Sequence, residues 1–242
     1  MDVVEQEQLN ADVAASHWYY DSKYALIKKH IDALGVNKTS LTTADVGTGI
    51  GLFLHKMEVD GYASPERSIG IDPAHQDPTT AFHSQIPIQA NFPKDRNYDL
   101  LLMMDVLEHV EDDNAMLQDV IPHVKKDGLV FITVPALPML WSSHDRFLGH
   151  YRRYTLKSLR KLVEDSGRLE LVSLHYYFAV TLPLALPMRL MHRKRTDFSS
   201  SDMRPVSKIW NSVFKWICRC ELPFAILNRF AGLTAVALCR KN

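Results

Sequence analysis

Asp45-Val46-Gly47-Thr48-Gly49-Ile50-Gly51 is the stretch on which the fold turns. Leu41 to Val46 in front of it reads as a short strand, Leu52 to Glu58 behind it as a helix, and Ser68 to Ile71 as a second strand. Glycines at such a junction let the backbone turn tightly and approach a ligand, and the following helix start offers unpaired amides. Asp72 closes the second strand, where its carboxylate can accept both hydroxyls of a ribose. The third glycine falls one residue early for GxGxxG, which disfavours a nicotinamide cofactor. An acid at Asp45 is awkward beside a pyrophosphate but suits an ammonium, so the expected ligand is a nucleoside with an amino-acid tail.

Further out, Tyr98 to Met104 is a near-continuous apolar strand ending at Asp105, on the sheet edge where ligands of open α/β folds bind. Asp112 to His123 reads as a helix and Gly128 to Val134 as a strand closed by Pro135. Thr155 to Ser166 is a helix with a Thr cap and a Gly167 stop, Leu169 to Tyr177 a strand, and Leu233 to Leu238 the last strand. Apolar runs alternating with helices indicate an α/β fold with a parallel sheet covered on both faces. At the front, Asp12 to His30 carries Trp18, Tyr19, Tyr24 and Ile27 at helical spacing. The expected organisation over 1–242 is one domain: 1–40 an N-terminal helical cap, 41–177 a cofactor-binding core, 178–230 a helical insertion covering the substrate, and 231–242 the final strand.

Composition is that of an ordinary globular chain: 242 residues, 46% apolar and 23% charged, which excludes disorder as the main state. Lys plus Arg and Asp plus Glu both number 28, leaving no overall field to hold a polyanion. The three cysteines, Cys218, Cys220 and Cys239, lack paired CxxC spacing, and the opening Met1-Asp2-Val3-Val4-Glu5 has no signal-peptide character. A cytoplasmic location is expected. The longest apolar stretch, Tyr176 to Met191, is broken by Pro183, Pro187 and Arg189 and falls short of the roughly 20 apolar residues that cross a bilayer.

Asp45 to Gly51, Asp72 and Asp99-Leu-Leu-Leu-Met-Met-Asp-Val-Leu-Glu-His-Val-Glu-Asp112 together resemble the class I S-adenosylmethionine-dependent methyltransferases, in particular the ubiquinone-biosynthesis-like group. The resemblance spans about residues 15 to 177 and the last strand. It implies a Rossmann-like seven-stranded sheet of order 3-2-1-4-5-7-6 with the seventh strand antiparallel, and S-adenosylmethionine as cofactor, leaving S-adenosylhomocysteine. In that family Gly47, Gly49 and Gly51 pass under the methionine part, Asp72 holds the ribose and Asp105 lines the pocket. The expected cofactor set is Asp45, Gly47, Thr48, Gly49, Gly51, Asp72, Pro73, Asp105, Val106 and Trp18. One segment departs: Ile86-Pro87-Ile88-Gln89-Ala90-Asn91 has no acid where relatives place one near adenine. Gln89 and Asn91, or backbone groups with Ile88 against the ring, are the alternatives.

After the fifth strand of that order, Trp141-Ser142-Ser143-His144-Asp145-Arg146-Phe147-Leu148-Gly149-His150-Tyr151-Arg152-Arg153-Tyr154 crowds polar and aromatic residues into a connection. Methyl transfer needs an aligned acceptor, and an oxygen or protonated nitrogen must also lose a proton. His109, His144 and His150 are the expected catalytic residues; Asp145, Tyr151, Arg152, Arg153 and Tyr154 are the expected substrate contacts, with a loop brace as the alternative for Asp145 and the arginines. His144, Asp145 and His150 are also metal-ligand types, but no fourth ligand is evident and the expectation is no metal. His144 to Tyr154 is similar to a bacterial branch of the family associated with glycan, polyketide or lipid-like substrates, as are Trp18, Tyr19 and Lys23, a lid over the cofactor or plain helix packing.

Phe178 to Met191, the basic Arg193, Lys194 and Arg195, and Ile209, Trp210, Val213, Phe214, Trp216 and Ile217 form either a peripheral membrane surface at the inner face, a pocket cover or a homodimer contact. No Asn/Asp-Pro-Pro-Tyr-like tetrad follows the Tyr98 to Met104 strand, so no nucleic-acid substrate is expected. The expected activity is O-methylation of a small or amphipathic acceptor, with N- or C-methylation, or cofactor binding without turnover, as alternatives.

Overall fold

The computed structural model describes residues 11–75, 79–192 and 206–242. Arg193, Lys194 and Arg195 lie outside these residues. Among the described residues eight strands form one sheet: β1 (Thr43–Val46), β2 (Ser68–Ile71), β3 (Thr79–Thr80), β4 (Pro87–Gln89), β5 (Tyr98–Met104), β6 (Val124–Pro135), β7 (Leu169–Tyr177) and β8 (Thr234–Lys241). Their order is β3-β4-β2-β1-β5-β6-β8-β7. Without the two-residue β3, which pairs antiparallel with β4, this is the expected seven-strand order, and β8 runs antiparallel to both β6 and β7.

Both faces of the sheet are covered, which is why β5 shows no inside-outside alternation. Leu100, Leu102 and Met104 join one apolar cluster with Leu26 and Ile27 of helix α2 (Trp18–Ala33) and Leu52 of α3 (Leu52–Val59). Leu101 and Met103 join the other, with Leu117 of α4 (Asp113–Val120) and Leu159 and Val163 of α6 (Leu156–Asp165). In α6 the charged Lys157, Arg160, Lys161 and Glu164 point outward while Leu159, Leu162 and Val163 are buried, and Thr155 caps it by accepting from the Ser158 amide.

Several boundaries differ from the sequence expectation, and β6 already begins at Val124, ahead of the expected Gly128. The first helix is split into α1 (Ala11–Ser16) and α2, because His17 adopts an extended backbone and its Nδ1 accepts the Tyr19 amide at 3.4 Å. The 112–123 helix gives way to a 3-10 turn over Ile121–His123, where Pro122 cannot donate to a continuing helix. β8 runs on to Lys241, paired on both sides. Beyond the core lie α5 (Ser143–Phe147), α7 (Leu182–His192) and α8 (Lys208–Glu221). Among the described residues no helix is long and apolar enough to cross a membrane. Ile209, Trp210 and Trp216 on α8 are nonetheless exposed, as are Phe224, Leu227 and Phe230 beyond it.

Gly51 starts α3 in the left-handed region at φ 77°, and a Cβ there would lie 2.4 Å from the Cβ and 2.8 Å from the Cα of Ala81. A side chain at this turn meets both strain and a backbone that must move. Gly51→Ala is expected to lower unfolding free energy by about 3 kcal/mol in urea titrations; a loss below about 1 kcal/mol would mean that the turn yields.

Candidate functional site

Parallel strands β1, β2, β4 and β5 all end at one edge of the sheet, which brings Asp45, Asp72, Asn91 and Asp105 to the same side. The glycine loop is pinned there by its own amides: Gly47 N–H donates to the Ile71 carbonyl at 2.7 Å and Gly49 N–H to Asp72 Oδ2 at 2.8 Å. Asp72 Oδ1 accepts from Ala74 N–H at 3.0 Å, so the carboxylate is fixed yet keeps further lone pairs. At Gly47 (φ 66°) a Cβ would come within 2.6 Å of Val106 Cγ2, so a side chain here meets backbone strain and must displace Val106 in the cleft wall.

Asp45 lies behind that loop with 1% exposure. Thr48 Oγ1 donates to its Oδ2 at 2.7 Å, whereas Oδ1 is buried without a hydrogen-bond partner. Burial pushes this carboxyl up to about 6, against the pull of the Thr48 hydrogen bond.

In front of the loop opens a cleft of about 740 Å³ whose walls include Gly47, Asp72, Pro73, Asp105, Val106 and His109. Its far wall was not foreseen from sequence: Phe92 stacks on His123 with centroids 3.9 Å apart and planes at 8°. Met116, Asp119, Val120 and His123 line this end at helical spacing, the one signal that could have found them. Asn91 lines the cleft as well; Ile88 is buried in the core and does not.

Asp105 is held in the left-handed region at φ 56°. Lys23, fully buried on α2, is in ion-pair contact with its Oδ2, and Thr133 Oγ1 donates to Oδ1 at 3.2 Å. Burial alone would raise the Asp105 carboxyl, but the Lys23 ammonium outweighs it and holds the group below the usual carboxylate range. Tyr19 OH donates to the same carboxylate at 3.4 Å, and its ring stacks on Phe178 at 5.3 Å. Trp18 points the other way, packing on Phe178 and Phe214, while its amide donates to Asn211 Oδ1 at 2.7 Å. It ties α2 to α8 and is not among the residues lining the cleft.

A second pocket of about 120 Å³ shares Asp105 and His109 with the cleft. His144, His150 and Glu108 line it, together with Tyr19, Tyr20, Arg153 and Arg189. The three expected histidines therefore do converge, and the His109 and His150 rings meet edge-on at 4.6 Å. Burial and the neighbouring His150 lower His109 to about 4; burial and Arg189 hold His144 well below its usual value. Burial and the charge of Asp105 raise Glu108 well above the carboxylate range.

Asp145 is the keystone of the loop. It is completely buried, closes a capping box with Ser142, accepts Arg153 Nε at 2.6 Å and His150 Nδ1 at 3.1 Å on Oδ1, and faces Arg189 at 3.7 Å. Burial works against its charge, but the His150 hydrogen bond and the two guanidinium groups hold it well below the ordinary range. Three of the expected substrate contacts are committed elsewhere: Asp145 as described, Arg152 to Asp113 at 3.0 Å and the Val110 carbonyl at 3.1 Å, and Tyr154 OH to Asp113 Oδ2 at 2.7 Å. Tyr151 is exposed and its backbone amide donates to the Glu108 carbonyl at 2.7 Å. Of that group only Arg153 lines the pocket. Sequence reading missed Glu108 and Arg189 as pocket residues.

Comparison with known proteins gives one family match: a family model described as a methyltransferase domain matches residues 17–174. A search of curated proteins by sequence finds no match. Among solved structures, a candidate sarcosine dimethylglycine methyltransferase from Galdieria sulphuraria is similar with a TM-score of 0.54 at 14% identity, covering 90% of this chain and 84% of that one. MccD protein is similar at 0.52 and 14%, covering 90% and 96%. A coclaurine N-methyltransferase bound to N-methylheliamine and S-adenosylhomocysteine is similar at 0.51 and 12%, covering 90% and 72%. At these identities the structures speak for the fold.

Proposed function

The chain belongs to the methyltransferase-domain family, and from that premise we propose that it transfers a methyl group from S-adenosylmethionine to a small acceptor seated in the histidine pocket. The observation that carries this is the shared wall: Asp105 and His109 line both the cleft and the second pocket, so a ligand in one meets a ligand in the other. The residues present fit the cofactor. The Gly47 cradle suits its methionine part, Asp72 its ribose and the Phe92–His123 wall its adenine, with the Asp45 carboxylate, its Oδ1 unpartnered, behind the loop as a counter-charge to its ammonium. Bound there, it supplies an electrophilic methyl carbon whose bond to sulfur breaks, the electron pair staying with sulfur while the acceptor's lone pair takes the carbon.

The chain's own part is to align the acceptor and receive its proton. His109, His144 and His150 surround the pocket, and Asp145 orients His150 through Nδ1. This arrangement favours an acceptor hydroxyl. An amine is the second reading, supported by the Asp105 carboxylate and the Tyr19 ring in the same walls, which suit an ammonium. Arg189 reaches the pocket from α7, so this helix covers it, and the exposed apolar residues of α8 support an amphipathic acceptor presented at a membrane surface.

Calorimetry with S-adenosylmethionine, S-adenosylhomocysteine and NADH tests the cofactor: heat with the first two alone is expected, and NADH heat alone would overturn the assignment. His144→Ala and His150→Ala should each cut turnover about 100-fold or more while leaving cofactor affinity intact. Wild-type rates in both would remove this pocket from the chemistry. Screening matched phenol and amine acceptors decides the acceptor atom.

A further inference from the structure

We propose that Glu108, His109 and His150 form a binding site for a divalent transition-metal ion in the wall of the acceptor pocket. Their donor atoms, one carboxylate oxygen and two imidazole nitrogens, all lie within 4.8 Å of one another. Ligands at about 2.1 Å from a common ion stand roughly 3 to 4 Å apart, so small side-chain movements complete the site. Two imidazoles and a carboxylate suit zinc, cobalt, manganese or iron rather than calcium or magnesium.

Two further observations point to a ligand. Glu108 is 1% exposed, yet its Oε2 has no hydrogen-bond partner. A buried carboxylate oxygen left open in the wall of a polar pocket is a costly feature unless something binds it. The histidines, for their part, are already braced in the manner of metal ligands. His150 Nδ1 is held by Asp145 Oδ1 at 3.1 Å, leaving Nε2 as its donor, and the His109 ring is hydrogen-bonded to the Leu148 backbone. The Tyr151 amide, donating to the Glu108 carbonyl at 2.7 Å, stitches the two ligand-bearing segments together. Asp145, a ligand type by sequence, is thereby assigned to the outer sphere, and the sequence expectation of no metal is revised.

Three protein ligands leave open positions, and these face the acceptor pocket beside Asp105. The role of the ion rests on the hydroxyl reading of the function. An acceptor hydroxyl reaching the ion becomes acidic enough to release its proton to solvent, the oxygen keeping the electron pair that attacks the methyl carbon.

The test uses the full-length chain after chelator treatment and dialysis. Zn²⁺ calorimetry should give one equivalent, and Co²⁺ should give visible d–d absorption without a thiolate charge-transfer band. Glu108→Gln and His150→Gln should weaken Zn²⁺ binding at least about tenfold, and His83→Ala, an exposed histidine outside the pocket, should leave it unchanged. Absence of Zn²⁺ binding by the wild type, a Co²⁺–thiolate spectrum, or unchanged affinity in both pocket variants would overturn the site. The wild-type spectrum decides the matter even where a variant fails to fold. S-adenosylhomocysteine heat on the same sample separates the two conclusions: retained heat without metal binding removes the metal alone, whereas its loss removes the methyl-transfer reading.

Discussion

Lys23→Met will destabilise the protein by about 2 to 3 kcal/mol, read as a lower urea midpoint with an unchanged slope. Lys23 has no exposed side-chain surface and is paired with Asp105, so the neutral replacement leaves a carboxylate in the core without its counter-charge. Some 24% of the Asp105 side chain still faces the cleft, which keeps the loss below that of a fully sealed pair. Adding Asp105→Asn to the Lys23→Met chain should return part of the stability, because no charge is then stranded. A double-mutant coupling near zero would show that the pair is incidental. The consequence for function is direct: Asp105 lines both pockets at positive φ, with Lys23, Thr133 and Tyr19 all in contact with its carboxylate.

Asp45→Asn is expected to move stability and cofactor affinity in opposite directions. Burial raises this carboxyl to about 6, so its charge at neutral pH costs the folded state on the order of 3 kcal/mol. The sign follows from linkage. The folded state holds the proton more tightly than the unfolded chain, so the cost is absent below the unfolded value near 4, grows as pH rises, and is complete above about 6. The Asn variant lacks this cost and should melt higher at pH 7, with the gap closing towards pH 4. Its affinity for S-adenosylmethionine should fall about 10-fold, the loss of a buried counter-charge behind the methionine site. Wild-type affinity should likewise weaken below about pH 6 as Asp45 takes up a proton. A variant no more stable than the wild type would place the Asp45 charge outside the energetics of the loop.

Much of the cofactor side was legible because it depends on local patterns. A strand, a run of alternating glycines and an acid at the end of the next strand are contiguous features, and parallel strands carry their C-terminal residues to one edge without further instruction. Asp45, Gly47, Asp72 and Asp105 could therefore be named from spacing and resemblance. The Phe92–His123 wall could not, because its halves come from the loop after β4 and the 3-10 turn after α4 and carry no shared motif. Trp18 and Tyr19 show the limit more sharply. Neighbours on one helix, they differ by a rotation of about 100°, and that rotation sends Tyr19 to Asp105 and Trp18 to Phe214.

The polar loop after β6 illustrates the other limit. Its composition announced a site, and histidines, an acid and arginines could all be listed as chemistry-bearing. Which of them face the pocket depends on pairing: Asp145 is consumed by Arg153 and His150, Arg152 and Tyr154 by Asp113, and these partners lie far along the chain or across a turn.

The amino-acid sequence settles the order of strands and helices, the two-sided burial of the sheet and the family, since periodicity and contiguous motifs act over a few residues and survive any packing. Tertiary structure alone decides that Lys23 neutralises Asp105, that Glu108 turns inward to join His109 and His150, and that Arg189 closes the pocket from the insertion. Each of these brings together charges or donors distant along the chain, and the free energy of such a contact depends on burial and distance, which exist only once the chain has folded.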